Sequence, residues 1–248
     1  MPRYRLTLEY DGGPFVGWQR QDNGPSVQQA VEAAICRFTG GAVTLVGAGR
    51  TDAGVHALGQ VAHVDLPRPF EPATIRDATN FHLKPAPISV LAVAAVDDDF
   101  HARFSACRRR YRYLIVNRPA PLAVDAGRAW WVRSTLDHAA MAAAGRLLIG
   151  RHDFSSFRSS MCQAASATKT LDGLAVDVEG DGIRIEVWAR SFLHNQVRII
   201  VGSLKRVGEG GWPVERVAAA LAARDRAAAG PTAPAHGLYL VGVDYPAG

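Results

Sequence analysis

Two widely separated stretches show the period-2 alternation of half-buried strands, the second with arginine dominating its first half. Tyr4, Leu6, Leu8 and Tyr10 alternate with Arg5, Thr7 and Glu9. Further on, Arg109, Tyr111, Tyr113 and Ile115 alternate with Arg108, Arg110, Arg112, Leu114 and Val116. Between them, Ser26 with Gln29 forms a capping box ahead of Val27, Val31, Ala34, Ile35 and Phe38, which recur on one helical face. Short strands are expected at Val43 to Val46, Gln60 to Leu66 and Ile88 to Val96. After Pro119 to Pro121 come a strand near Trp130 and a helix from about Leu136 to Ile149. The strands Leu174 to Val178 and Ile183 to Ala189 are joined by E-G-D-G, a hairpin composition. Val197, Ile200, Val201, Leu204 and Val207 mark another helix, and Pro213 opens the last one. Gly230 and Pro231 close that helix before a terminal strand from Leu238 to Tyr245.

Hairpin-length connections outnumber long crossovers, which predicts an α+β fold: two subdomains of mainly antiparallel sheet, helices packed on one face, sharing a central cleft. The expected division is 1–105, an N-terminal subdomain, and 106–248, a C-terminal one that completes the cleft. A chain of 248 residues, 48% hydrophobic and 21% charged, can bury a core for both. No stretch approaches the ~20 apolar residues of a membrane-spanning helix. The alternating N-terminus is also unlike a secretory signal, so a cytoplasmic location and no membrane partner are expected. Cys36, Cys107 and Cys162 are an odd number without C-x-x-C spacing, which suggests neither a disulfide framework nor a thiolate metal site. The net charge of +5 suits a polyanionic partner. Only three of the 28 basic residues are lysines (Lys84, Lys169, Lys205), and arginine's planar fork favours phosphate and base contacts.

Chemistry concentrates in G-A-G-R-T-D-A-G-V-H-A-L-G-Q, Gly47 to Gln60. Gly47, Gly49 and Gly54 surround an Arg-Thr-Asp triplet, giving the backbone a freedom commonest where a ligand approaches closely. Asp52 is the candidate acid and Arg50 its neighbour; a turn-capping Asp52 is the plainer reading. The loop lacks the third glycine of a dinucleotide fingerprint and is followed by no G-K-[ST]. His56, His63 and His194 lack metal-ligand spacing and read as loop, strand and helix-start residues, so no metal is expected. From the residues alone, a non-catalytic RNA-binding sheet surface built on Arg109, Tyr111 and Tyr113 stays open, as does a nucleotide-dependent enzyme.

Several segments together resemble the tRNA pseudouridine synthases that isomerise uridines of the anticodon stem-loop. They are G-R-T-D-A-G-V-H-A at Gly49 to Ala57, F-H-A-R-F-S-A at Phe100 to Ala106, R-R-Y-R-Y at Arg109 to Tyr113, H-D-F-S-S-F at His152 to Phe157 and G-L-Y-L-V-G-V-D-Y-P at Gly237 to Pro246. The first is highly specific, and the resemblance covers nearly the whole chain. It departs at Asn80 to Ile88, where an Asp before Ile88 is lacking, and at Gln196, where Met is frequent.

The resemblance implies that uridine becomes pseudouridine at positions 38, 39 and 40 through Asp52 as catalytic carboxylate. It leaves open whether Asp52 attacks covalently or removes a sugar proton. No cofactor is implied, because the reaction is neither a redox change nor a transfer from a donor. Arg198 is implied as the cation that steadies a carboxylate drawn into a dry pocket, and Tyr111 as the ring that packs on the uracil. Arg50 would stand where the nucleotide leaves its stack. The tRNA anticodon stem-loop is the implied partner and a homodimer the implied assembly.

Overall fold

The computed structural model describes residues 1–246, which carry ten strands and five α-helices. The fold is α+β with mainly antiparallel sheet, as expected. Two compact units divide the chain. Unit 1 is Met1–Cys107 together with the segment from Tyr239, and unit 2 is Arg108–Leu238. The terminal strand, assigned to the second half on sequence order, lies in unit 1.

In unit 1 the strands are β1 (Arg3–Tyr10), β2 (Val46–Gly47), β3 (His56–Asp65), β4 (Ile88–Val96) and, from the chain's end, a strand called here the terminal strand (Leu238–Asp244). Their order is β4, β1, β3, terminal strand, with β2 also on β3. All pairings are antiparallel except the terminal strand, which runs parallel to β3 with Tyr239 opposite His56. The predicted alternation of β1 is realised: Tyr4, Leu6, Leu8 and Tyr10 are buried. β3 begins four residues before the expected Gln60 and is buried on both faces from Gly59 to Val64; at Gly59 a Cβ would stand 2.5 Å from the Val241 carbonyl oxygen. The strand expected at Val43 to Val46 shrinks to β2.

Helix α1 (Val27–Thr39) starts at the expected cap, with Ser26 Oγ accepting from Gln29 N. Helix α2 (Pro72–Leu83) was not anticipated. It packs on α1 and β4 through Ile75, Thr79 and Leu83, one residue per turn, and its N-cap Glu71 makes no side-chain capping bond. Asn80 ties α2 to β4 with two bonds to the Val90 backbone, 2.9 and 2.7 Å, beside the bulge in the β1 to β4 register.

Unit 2 contains β5 (Arg108–Asn117), β6 (Trp130–Val132), β7 (Gly150–Asp153), β8 (Thr168–Glu179) and β9 (Gly182–Ala189). The order is β5, β9, β8, β7, all antiparallel, with β6 parallel along β5. The E-G-D-G turn closes the β8 to β9 hairpin with Glu179 opposite Gly182 and Gly180 at φ +57°. β7 was not anticipated. Helix α3 (His138–Arg146) packs on β8 and on α4 (Gln196–Gly208), and α5 (Arg216–Ala223) follows. α3 is shorter than its apolar pattern, since Leu147 to Ile149 leave the helix in a turn. α5 begins three residues after Pro213, whose carbonyl accepts from Arg216 N. The strongly amphipathic α4 buries Val197, Ile200, Val201, Leu204 and Val207 as the pattern requires.

Candidate active site

Asp52 sits on the connection between β2 and β3, and much of what shapes that connection lies outside it. Just past β1, a Cβ on Gly12 would stand 2.0 Å from the Val55 carbonyl oxygen, so only glycine lets the two backbones touch. Gly17, at φ +117°, lies against Thr51, forms an isolated antiparallel bridge with Asp52, and is followed by a bond from Trp18 N to Thr51 O at 3.0 Å. The segment 11–18 therefore straps the loop by main-chain contact. On its other side, Tyr10 Oη and Thr51 Oγ1 are 2.8 Å apart in a buried hydrogen bond, and Gln60 Nε2 donates to Gly49 O at 2.9 Å. Val55 N closes a turn onto Asp52 O at 3.1 Å through Gly54 at φ +76°. Burial pushes the Tyr10 hydroxyl up to about 12, against the opposing bonds to Thr51 and Gln60. Asp52 itself is half-buried, Thr51 is buried and Arg50 is exposed.

His56, expected in a loop, is the buried first residue of β3. Gly12 N lies 3.0 Å from its Nδ1, and Asp11 Oδ1 lies 3.1 Å from the same atom. Its ring stacks on Tyr239 at 4.8 Å. Among the described residues, no group of His, Cys, Asp and Glu is arranged to hold a metal ion.

In unit 2, Tyr111 lies on the inward phase of β5 with Arg109 and Tyr113. Its ring meets Phe192 edge-on, centroids 5.2 Å apart at 90°. Phe192 belongs to the stretch S-F-L-H-N-Q-V-R that enters α4, so this stretch and the middle of β5 come together there. Arg198, in the first turn of α4, donates from Nε to Ala233 O at 2.7 Å and from Nη1 to Asn195 Oδ1 at 2.8 Å. Asn195 takes the left-handed conformation, φ 62°, at the helix N-cap. Tyr113 donates to Pro234 O at 2.8 Å; burial drives its hydroxyl far up, and the Arg198 charge pulls it partly back. Gln196 is buried: its Oε1 accepts from Leu193 N at 2.8 Å, while Nε2 has no partner. The arginines of β5 separate by phase. Arg109 is buried and donates to Arg190 O at 2.6 Å, Arg108 and Arg110 are exposed, and Arg112 pairs with Glu186 at 3.0 Å.

Two open cavities in unit 2, about 570 and 350 Å³, include neither Tyr111 nor Arg198, although Arg112 lines the smaller. The larger holds Lys205, bound to Glu209 at 2.6 Å and 5.5 Å from the Trp130 ring centroid. Its chief cation is already matched by an acid.

Asp52 thus stands on a strapped loop of unit 1, and Tyr111 and Arg198 stand on a strand and a helix of unit 2. A family model described as tRNA pseudouridine synthase matches residues 7–105 and 144–246. The tRNA pseudouridine synthase A of Paramagnetospirillum magneticum is 61% identical over 247 residues, 100% of this chain and 96% of its own. That of Parvibaculum lavamentivorans is 58% identical over 245 residues, 99% and 100% of the two chains. A chain of a Cbf5–Nop10–Gar1 crystal structure aligns with 82% of this chain and 45% of its own, with TM-score 0.35 and 14% identity. The chain belongs to the tRNA pseudouridine synthase family, and it is an isomerase acting in tRNA modification. No helix among the described residues is long and apolar enough to cross a membrane.

Proposed function

We propose that this enzyme converts uridine to pseudouridine at positions 38, 39 and 40 of the tRNA anticodon stem-loop, with Asp52 as its catalytic carboxylate. The observation that carries the proposal is the setting of Asp52. It is half-buried in a loop clamped by main-chain contact with Gly12 and Gly17 and by the Tyr10 to Thr51 bond, which fixes the acid one residue away. Such preorganisation suits a group that must meet a sugar or base without further search.

The reaction conserves every atom. The N1 to C1′ bond breaks, the uracil turns while held, C5 bonds to C1′, C5 gives up its proton and N1 takes one. Asp52 acts on the sugar or on C1′; Tyr111 packs against the uracil, its ring already set by Phe192. Arg198 steadies the carboxylate, its guanidinium oriented from its own unit by Ala233 and Asn195. Exposed Arg50 offers a cation to the nucleotide that has left the stack, a displacement costing a few kcal/mol that protein contacts must offset. The chemistry calls for no cofactor. The enzyme works as a homodimer in the cytoplasm.

The decisive experiment is tritium release from C5-labelled uridine in tRNA. Asp52→Asn is expected to abolish release while circular dichroism and tRNA affinity stay near wild type, and retained turnover would remove the assignment. Mapping pseudouridine in the treated tRNA tests the three positions. Sedimentation of an active monomer would remove the dimer.

A further inference from the structure

Phe104 is 70% exposed although its neighbours Ala102 and Ala106 are buried. The loop that carries it is held rigidly. His63 Nδ1 accepts from Ala102 N at 3.1 Å, and His101 Nδ1 accepts from both Arg103 N and Phe104 N, 3.2 and 3.3 Å. Ser105 closes the loop in both directions, its Oγ accepting from His101 N at 3.0 Å and its N donating to His101 O at 2.9 Å. Tyr245 Oη donates to Ala102 O at 2.7 Å. Backbone groups so fully bonded do not leave an aromatic ring outside by slackness. The ring also has company: His101 lies 4.4 Å away at 35°, and the Arg103 guanidinium is 5.6 Å from the ring centroid.

From this geometry we infer that the loop Phe100–Ser105 is a second RNA contact, in which the Phe104 ring stacks an unpaired base of the tRNA and Arg103 meets the adjoining phosphate. The inference rests on the tRNA reading above and adds a subsite to it. An exposed aromatic face beside a cation is the arrangement that takes bases without regard to sequence. The loop is also coupled to the acid's own connection. Ala102 packs on Ala48 and Val61, and Ala48 N donates to Val61 O at 2.7 Å, so a base held on Phe104 is registered against the backbone leading to Asp52.

The test measures equilibrium tRNA affinity and steady-state tritium release for Phe104→Ala, Phe104→Leu and Phe104→Trp, with the equally exposed Phe81→Ala on α2 as control. Phe104→Ala and Phe104→Leu should each raise Kd and KM about tenfold, since leucine keeps apolar area but lacks the π-face. kcat should stay within about twofold because the chemistry is untouched. Phe104→Trp should stay near wild type, as should Phe81→Ala. Arg103→Gln should flatten the dependence of log Kd on log salt by about one phosphate's worth. Unchanged Kd and KM in Phe104→Ala would overturn the inference. So would a fall in sedimentation coefficient with tRNA affinity retained, which would make the ring a contact between protein copies. Wild-type protein that binds tRNA but releases no tritium would defeat the parent reading while leaving the Kd arm to judge this one.

Discussion

The loop that carries Asp52 and the entry to α4 that carries Arg198 are both irregular, but they are fixed by different means. The first is fixed mainly by backbone lying against backbone, at Gly12 on Val55 and Gly17 on Thr51. The second is fixed by side-chain bonds: Gln196 Oε1 accepts from Leu193 N, and Arg198 donates to Ala233 O and to the side-chain Oδ1 of the left-handed Asn195. Main-chain contact tolerates no added atom, whereas side-chain bonds can be deleted singly while the backbone stays. The acid's loop should therefore fail abruptly when mutated and the arginine's by degrees.

Gly12→Ala is the harshest test of that contrast. A Cβ at 2.0 Å from the Val55 oxygen cannot be accommodated without moving the loop. Destabilisation at or above the top of the ~1–3 kcal/mol range for overpacking is expected, with activity lost even where the protein still folds. Denaturant midpoints and tritium release measure both, and a variant with wild-type stability would show that the strap is not rigid.

Tyr10→Phe removes one hydroxyl and leaves buried Thr51 Oγ1 without that partner. A loss of about 1–3 kcal/mol is expected, the cost of an unsatisfied buried polar group. Because Thr51 adjoins Asp52, kcat should fall more than KM rises. The Tyr10 hydroxyl also sets an alkaline limit: its folded value of about 12 exceeds the ordinary 10. Its contribution is complete below about 10 and is lost as pH rises through about 12. Tyr10→Phe should lack that component of alkaline unfolding.

On the other side of the comparison, Asn195→Gly keeps the left-handed backbone, φ 62°, and deletes only the carbonyl that receives Arg198 Nη1. Its stability cost should be about 1 kcal/mol, the worth of one hydrogen bond. Activity should drop through Arg198's lost tether without collapse of the fold. A loss as large as that of Gly12→Ala would erase the distinction between the two regions.

What could be read beforehand follows the same division. β1 and β5 were legible because alternation writes burial directly into sequence, and α1 because Ser26 and its apolar stripe coincide. α2 was missed: only Ile75, Thr79 and Leu83 face inward, one per turn, with no capping side chain, so tertiary contact with α1 and β4 supplies what periodicity does not. β7 is four residues long and gains its identity from pairing with β8, a partner that sequence order does not reveal. Asp52 stood out by its motif, yet Gly12, Gly17 and Tyr10, which hold it, did not. D-G-G-P could be read as the end of a strand, but a contact across some forty residues of chain cannot be read from composition at either end. Likewise the pairing of Tyr111 with Phe192 emerges only when β5 and the α4 entry meet.

The smallest effect expected concerns how unit 1 responds to acid. His63 is pushed below the ordinary histidine value, first by burial and then by the positive charges of Arg3 and His101, with Asp65 opposing. Its neutral Nδ1 is the acceptor for Ala102 N, so protonation there would cost the loop that bond. For a histidine with a depressed folded value, the unfolded chain takes the proton first. Stability is complete above about 6.5 and falls as pH drops below it towards the folded value. Asp65, held below the usual carboxylate range by its bond from Arg3, keeps its contribution until pH falls past about 4. As pH is lowered below about 6.5, the protection factor of Ala102 N should fall relative to that of Val55 N, whose acceptor is a carbonyl. Equal behaviour of the two amides would mean that His63 is not the group that anchors the loop, and the imidazole clamp beneath Phe104 would have to be reassigned to His101 and Ser105 alone.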